Sequence, residues 1–179
     1  LLGNPRARTN LGTAYLDGQG VEQNLEEGIL WLRLAASMGW PHATNALGDA
    51  YWDGRGLPKN RTEAVDLYRS ASGQGQTTAM ANLGRAYVQG EGVARDTVLG
   101  LSLLEQSMDL GNGFAPLHAG RFYLDGNDEV AADLNRARDM FLAATRRGAR
   151  AGYLELARGY ERGVFEGGEN LELALRNAL

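Results

Sequence analysis

The chain has 179 residues, 22 of them acidic and 18 basic, and a net charge of −4 at pH 7. Because neither sign of charge forms a long block, nucleic acid and anionic membrane surfaces are not expected as partners. The absence of cysteine excludes disulfides, thiolate metal sites and a cysteine nucleophile. No apolar run reaches the roughly 20 residues that cross a bilayer, so no membrane insertion is predicted.

In chain order, the first strong feature is the segment LGTAYLDGQGVEQN, which starts at Leu11 and returns in related form four more times. Its tyrosine recurs every 36 residues in the next three copies and after 37 residues in the last. The five tyrosines are Tyr15, Tyr51, Tyr87, Tyr123 and Tyr160. This period predicts a repeat array in which each unit buries its apolar face against its neighbours.

The first half of each unit is predicted to form a helix, called helix A. In the first unit Asn4 is predicted to cap this helix, with Pro5 at its first position. Gly12 lies in mid-helix, where glycine costs roughly 1 kcal/mol relative to alanine. Its recurrence therefore predicts a close approach by a second helix in each unit. The equivalent residues are Gly48, Gly84 and Gly120, with Ala157 in the last unit.

A second helix, called helix B, is predicted after a glycine-containing loop. An Asn or Asp in each unit is predicted to cap helix B, and Glu27 and Glu63 would complete a capping box in the first two units. Small and large residues alternate along helix B, which is typical of antiparallel helix packing, and Trp31 is predicted to lie in the core. The predicted caps are Asn24, Asn60, Asp96, Asp133 and Asn170.

The run A-x3-LG-x2-Y-x2-G-x-GV-x2-N-x2-E-x3-W-x3-AA-x2-G, from Ala7 to Gly39, resembles the Sel1-like repeat, a relative of the tetratricopeptide repeat. The resemblance implies an all-α fold, a right-handed α-solenoid of helical hairpins. It also implies an adaptor or scaffold role, in bacteria often in signalling, envelope assembly or host-cell contact, and no catalytic residues. The expected units are 4–39, 40–75, 76–111, 112–148 and a truncated 149–179.

Both ends of the sequence are expected to interrupt a hairpin, so the natural chain is expected to be longer. Leu1 and Leu2 would finish the second helix of a preceding repeat, and Leu179 would fall inside the second helix of the fifth. The compartment stays open, with the bacterial periplasm or cell envelope preferred and the cytoplasm as the alternative.

The side chains that could carry chemistry form no catalytic constellation, and no cofactor or metal is predicted. His42 and His118 are 76 residues apart at non-equivalent positions, so packing or capping is preferred over a shared metal. The segment from Asp125 to Glu129 superficially resembles a calcium loop. Val130 and Arg136 replace the glycine and glutamate that such a loop needs, so a solvated loop is expected.

A partner-binding site is predicted on the concave surface, which helix A would line in such a solenoid. The tetratricopeptide comparison serves as the guide to which positions face inward. The residue after the helix A tyrosine would form an apolar ridge, namely Leu16, Trp52, Val88 and Leu124. The residue two before the tyrosine would form a charged column, namely Asp49, Arg85, Arg121 and Arg158. A protein or peptide segment could pair its carboxylates with the arginines and place apolar residues near Trp52.

Three alternatives stay open. The apolar residues could cap the core between repeats, while the arginines pair with Asp125, Asp53 or Glu161. The array could instead be an envelope or exopolysaccharide-assembly module that contacts glycan through Trp40 and Trp52. A third hypothesis is the repeat domain of a hydrolase, disfavoured because the family members described with hydrolase activity are rich in cysteine.

Overall fold

The computed structural model describes residues 3–165, and this range contains nine α-helices and no strand. Each even-numbered helix packs against the helices before and after it. The result is the α-solenoid of helical hairpins that the repeat predicted. None of the described helices is long and apolar enough to span a bilayer. In chain order the helices are α1 (Pro5–Asp17), α2 (Leu25–Ala36), α3 (Pro41–Asp53), α4 (Arg61–Gly73), α5 (Thr77–Gln89), α6 (Thr97–Asp109), α7 (Ala115–Asp125), α8 (Leu134–Arg146) and α9 (Arg150–Glu161).

The predicted caps of helix B are confirmed for the four described hairpins. In each, the side-chain oxygen of the Asn or Asp accepts a hydrogen bond from the backbone N–H three residues later. Asn4 likewise caps α1, accepting from the N–H groups of Arg6 and Ala7 at 2.9 and 3.4 Å. The remaining predicted cap, Asn170, lies outside the described residues.

The predicted capping box is wrong in its second half. The backbone N–H of Asn24 donates to the carbonyl of Tyr15 at 3.0 Å, and that of Asn60 to the carbonyl of Tyr51 at 2.9 Å. These N–H groups are therefore not left for a glutamate side chain. The carbonyls in the last turn of a helix lack intrahelical partners, so this bond fixes the start of helix B to the end of helix A.

The mid-helix glycines make the close contact that was predicted from their recurrence. A Cβ atom on Gly12 would lie 2.9 Å from the carbonyl oxygen of Gly28 and 2.9 Å from Cγ of Leu32. On Gly48 it would lie 2.6 Å from Cε1 of Tyr68. Because no real Cβ approaches so closely, glycine sets the distance between the two helices of a hairpin.

The core of each hairpin is filled by the helix B residue that lies against this glycine. Leu32, Tyr68, Leu104 and Phe141 occupy that position and are fully buried. Trp31 precedes it and is only half-buried, so its assignment to the core is wrong. The reason is register, since one residue along a helix turns a side chain by about a quarter of the circumference.

From the second hairpin to the fourth, the loop inside a hairpin packs against the start of helix B in the hairpin before it. A Cβ on Gly56 would lie 3.0 Å from the carbonyl oxygen of Leu25, and on Gly92 only 2.3 Å from that of Arg61. Both glycines also have positive φ, 71° and 75°. These two constraints explain glycine at the centre of the loop.

In the fourth hairpin the calcium-like segment makes the same junction with side chains. Glu129 accepts a hydrogen bond from the backbone N–H of Thr97 at 2.8 Å, at the start of α6. Asp128 and Glu129 both pair with Arg95, and the amide of Asn127 donates to the hydroxyl of Thr97 at 2.8 Å. This acidic segment therefore joins two hairpins instead of forming a free solvated loop.

Candidate functional site

The first helices of successive hairpins line one side of the array, which we call the inner face. Along it α1 contacts α3 and α5 contacts α7. Side-chain hydrogen bonds join α3 to α5 and α7 to α9. The inner face is thus the surface formed by α1, α3, α5, α7 and α9.

Side chains at two fixed positions lie opposite one another where α3 meets α5, where α5 meets α7 and where α7 meets α9, and we call each such pair a rung. One position lies two residues before the helix A tyrosine, and the other lies five residues before the tyrosine of the next hairpin. In one rung the carboxylate of Asp49 accepts from the amide of Asn82 at 3.1 Å. In another, Arg121 donates to the carboxylate of Glu155 at 2.7 Å.

The rung formed by Asp49 belongs to a buried polar network. Its carboxylate also accepts hydrogen bonds from the hydroxyl of Tyr68 at 2.8 Å and from the amide of Asn45 at 3.1 Å. Burial nevertheless raises the pKa of Asp49 to about 6, a shift that the bond from Tyr68 and the charge of Arg85 only partly offset. Its oxygens are occupied within the protein.

Arg85 and His118 occupy the two positions of the rung between these. The guanidinium of Arg85 lies over the ring of Trp52, 4.5 Å from its centroid. Its Nε is buried without a hydrogen-bond partner, and within residues 3–165 Arg85 forms no ion pair. Arg61 stacks on the same ring at 5.1 Å but pairs with Glu91 at 2.8 Å.

A pocket of about 380 Å³ opens at this rung, with Arg85, His118 and Arg121 among its lining residues. Val88 and Phe122 contribute apolar surface to it. Burial, together with the positive charges of Arg85 and Arg121, lowers the pKa of His118 to about 4. The imidazole is therefore neutral at pH 7. Asp125 also lines the pocket, but within residues 3–165 Arg85 forms no ion pair with it or with any other carboxylate.

The structure separates the residues predicted for the concave site into two groups. Leu16 and Trp52 are buried, 4% and 7% exposed, and Val88 and Leu124 are half-buried. Arg61 and Arg85 cover Trp52, whereas Leu16 packs between the helices of the first hairpin. The predicted apolar ridge is therefore mostly core.

The charged column does lie on the inner face, but its contacts differ from those predicted. Arg121 pairs with Glu155 instead of an aspartate on a neighbouring turn, and Arg158 lies 3.7 Å from the same carboxylate. Sequence reasoning missed His118 and Glu155 as members of rungs. The signal was available in the residue five before each tyrosine, which reads Asn10, Ala46, Asn82, His118 and Glu155.

Comparison with known protein families identifies repeats in four segments of the chain. The Sel1 repeat profile matches residues 5–40, 41–76, 77–112 and 117–148. The chain belongs to the Sel1 repeat family. Sel1 repeats generally mediate protein interactions, and proteins built from them are typically non-catalytic scaffolds.

Solved structures of other proteins share the Sel1 repeat fold. A Sel1 repeat protein from Oxalobacter formigenes is 28% identical, with a TM-score of 0.79, and the match covers 98% of this chain and 72% of that protein. A protective antigen of uropathogenic Escherichia coli with a Sel1-like repeat (SLR) fold is 30% identical, with a TM-score of 0.67, and the match covers 98% of this chain and 38% of that protein. An immunity protein from Pseudomonas aeruginosa is 16% identical, with a TM-score of 0.53, and the match covers 97% of this chain and 80% of that protein. This last likeness shows a shared fold alone. Among curated proteins the comparison gives no match.

Proposed function

We propose that this Sel1 repeat protein is a non-catalytic scaffold that binds a segment of a partner protein along the inner face. The observation that carries the proposal is the pocket at Arg85 and His118, where Nε of Arg85 is buried without a hydrogen-bond partner and its guanidinium forms no ion pair within residues 3–165. A buried N–H group without a partner costs free energy, and a ligand that accepts its hydrogen bond would recover that cost on binding. Membership of a family of protein-binding repeats supports the same conclusion.

The electrostatics of the inner face support binding over acid–base catalysis. The oxygens of Asp49 accept hydrogen bonds within the protein, and Glu155 is paired with Arg121. His118 is held neutral by burial and by the charges of Arg85 and Arg121, and within residues 3–165 it forms no ion pair with a carboxylate that would orient it as a general base. Within residues 3–165 no group of His, Cys, Asp and Glu is arranged to hold a metal ion.

Of the two tryptophans considered for glycan binding, only Trp40 has a partly accessible ring. Trp52 is buried under Arg85 and cannot stack on a sugar. Trp40 is half-buried and stacks on the ring of His42, with centroids 5.0 Å apart. Stacking platforms for a polysaccharide chain need successive accessible rings, so the protein-binding function is the better supported of the two.

The test is a selection of short peptides from a random library displayed on phage, followed by hydrogen exchange of each complex. The expected result is that bound peptides slow exchange in α5 and α7, on the inner face, and leave α4 and α6 unchanged. The variant pair Arg85→Gln and Arg121→Gln should weaken binding without loss of helical circular dichroism. If the selected peptides protect only the even-numbered helices, which we call the outer helices, the proposed surface is wrong.

A further inference from the structure

The rung formed by Arg121 and Glu155 shows how an arginine on the inner face is paired with a carboxylate from the next hairpin. The carboxylate of Glu155 accepts from Nε of Arg121 at 3.0 Å and from its terminal nitrogen at 2.7 Å. The side chain of Glu155 is only 12% exposed, although that of Arg121 is 52% exposed. Both donors converge on one oxygen, Oε1 of Glu155, so the pair is joined by two charge-assisted hydrogen bonds to a single carboxylate oxygen.

The preceding rung has the same arginine and lacks the carboxylate. His118 occupies in the fourth hairpin the position that Glu155 occupies in the fifth, five residues before the tyrosine. Arg85 takes the position of Arg121, and its buried Nε is left without a partner. The two rungs therefore differ in the group that faces the arginine, which is a carboxylate for Arg121 and an imidazole for Arg85.

Neighbouring acidic groups do not supply a carboxylate for Arg85. Asp49 is close enough to Arg85 for its pKa to respond, but its oxygens accept from Tyr68, Asn82 and Asn45. Asp125 lines the pocket but is exposed, and within the described residues it forms no ion pair with Arg85. The other cations of the lining are neutralised, since Arg95 pairs with two carboxylates and Arg121 with Glu155.

We propose that the Arg85–His118 rung is a specificity site for an acidic side chain, glutamate or aspartate, within the bound segment of the partner. The partner's carboxylate would take the place that Glu155 holds in the next rung, with the neutral imidazole of His118 beside it. This inference rests on the proposed function. An internal side chain is favoured over a chain terminus because rungs continue on both sides of the pocket, so the bound segment runs past it.

The test uses the selected peptides, synthesised with blocked ends and with each acidic residue replaced in turn by its amide. Fluorescence anisotropy of labelled peptides gives the affinity. One glutamate or aspartate should be required, with a loss of about tenfold or more for its amide. Peptides that carry the carboxylate only at a free C-terminus should bind as weakly as the amide forms.

Two variants of His118 form a matched pair. His118→Glu supplies the missing carboxylate from within the chain and should abolish the preference for an acidic peptide, whereas His118→Gln keeps the site neutral and should retain it. Arg85→Gln should also remove the preference for an acidic peptide. This variant tests the site independently if circular dichroism shows that His118→Glu does not fold.

The outcomes separate this inference from the proposed function. Peptides that protect α5 and α7 but bind equally well as amides, or bind His118→Glu as tightly as wild type, overturn the specificity site and leave the scaffold function standing. If the selected peptides protect only the outer helices, or if no peptide binds, both the specificity site and the proposed function are overturned.

Discussion

Asp49 and His118 are two inner-face residues whose pKa shifts act on stability in opposite directions. The pKa of Asp49 is raised from 3.8 to about 6, so between these values the folded chain binds more protons, and this residue's contribution to stability falls as pH rises. The pKa of His118 is lowered from 6.5 to about 4, so between these values its contribution falls as pH falls. Over about pH 4 to 6 the two contributions offset one another.

Removing either group should expose the pH dependence of the other. On acidification from about pH 7 to about pH 5 we expect the melting temperature of Asp49→Asn to fall, because His118 remains. Over the same range the melting temperature of His118→Gln should rise relative to that of wild type, because Asp49 remains. Shifts of about two pKa units correspond to at most about 3 kcal/mol each. Thermal unfolding followed by circular dichroism across this range measures both slopes.

The slope with pH is the readout, because either change can also alter stability by a constant amount through lost hydrogen bonds. Parallel profiles for wild type and both variants would show that these residues do not titrate differently in the folded and unfolded chain.

At the residue scale the sequence predicted what depends on near neighbours in the chain. Asn24 and Asn60 cap helices through bonds to residues three positions away, and the cap pattern reveals them. The burial of Trp52 depends on Arg61 and Arg85, which come from two other helices. Such contacts are not visible in a local pattern, so the apolar ridge was predicted on the surface.

At the scale of elements, the hairpin loops are the parts that join one hairpin to the next. Gly92 combines a positive φ of 75° with a Cβ position 2.3 Å from the carbonyl oxygen of Arg61. Gly20 is the equivalent residue in the first hairpin and has φ of 74°, but no atom lies within 4 Å of its Cβ position. The two glycines thus share a backbone conformation and differ in their neighbours.

Alanine at these two sites should separate backbone strain from the junction. Gly20→Ala should cost about 1–2 kcal/mol from the left-handed conformation alone. Gly92→Ala should cost a further 1–3 kcal/mol or more, because the clash is with backbone and the hairpins must move apart. Urea unfolding measures both values. Equal losses would mean that the loop does not hold the third hairpin against the second.

The sequence predicted the helices, their order and the tight approach at Gly48 better than it predicted these junctions. Period and glycine spacing report contacts inside one hairpin, which recur at fixed short separations. The junction through Glu129 joins residues about a whole repeat apart and uses side chains absent from the earlier loops. In sequence the same segment superficially resembled a calcium loop, although Val130 and Arg136 replace the glycine and glutamate that such a loop needs.

For the whole molecule, the solenoid architecture limits how far a local lesion spreads. Each hairpin packs mainly on its neighbours, so stability is approximately a sum of hairpin and junction contributions. The junction between the third and fourth hairpins depends on Asn127. Its side chain donates to Thr97 at 2.8 Å and accepts from the N–H groups of Glu129 and Val130, both at 2.9 Å.

Asn127→Ala should therefore loosen one end of the array and leave the other intact. Loss of these hydrogen bonds should cost about 1–3 kcal/mol, which corresponds to exchange of amide hydrogens roughly 10- to 100-fold faster in α7, α8 and α9. Helices α1 to α4 should exchange as in wild type, because no contact of Asn127 reaches them. Asn135→Ala, an exposed site on α8, is the matched control and should change neither end. Uniformly faster exchange in the Asn127 variant would instead mean that the described hairpins unfold as one cooperative unit, and that the junctions are strong compared with the hairpins they connect.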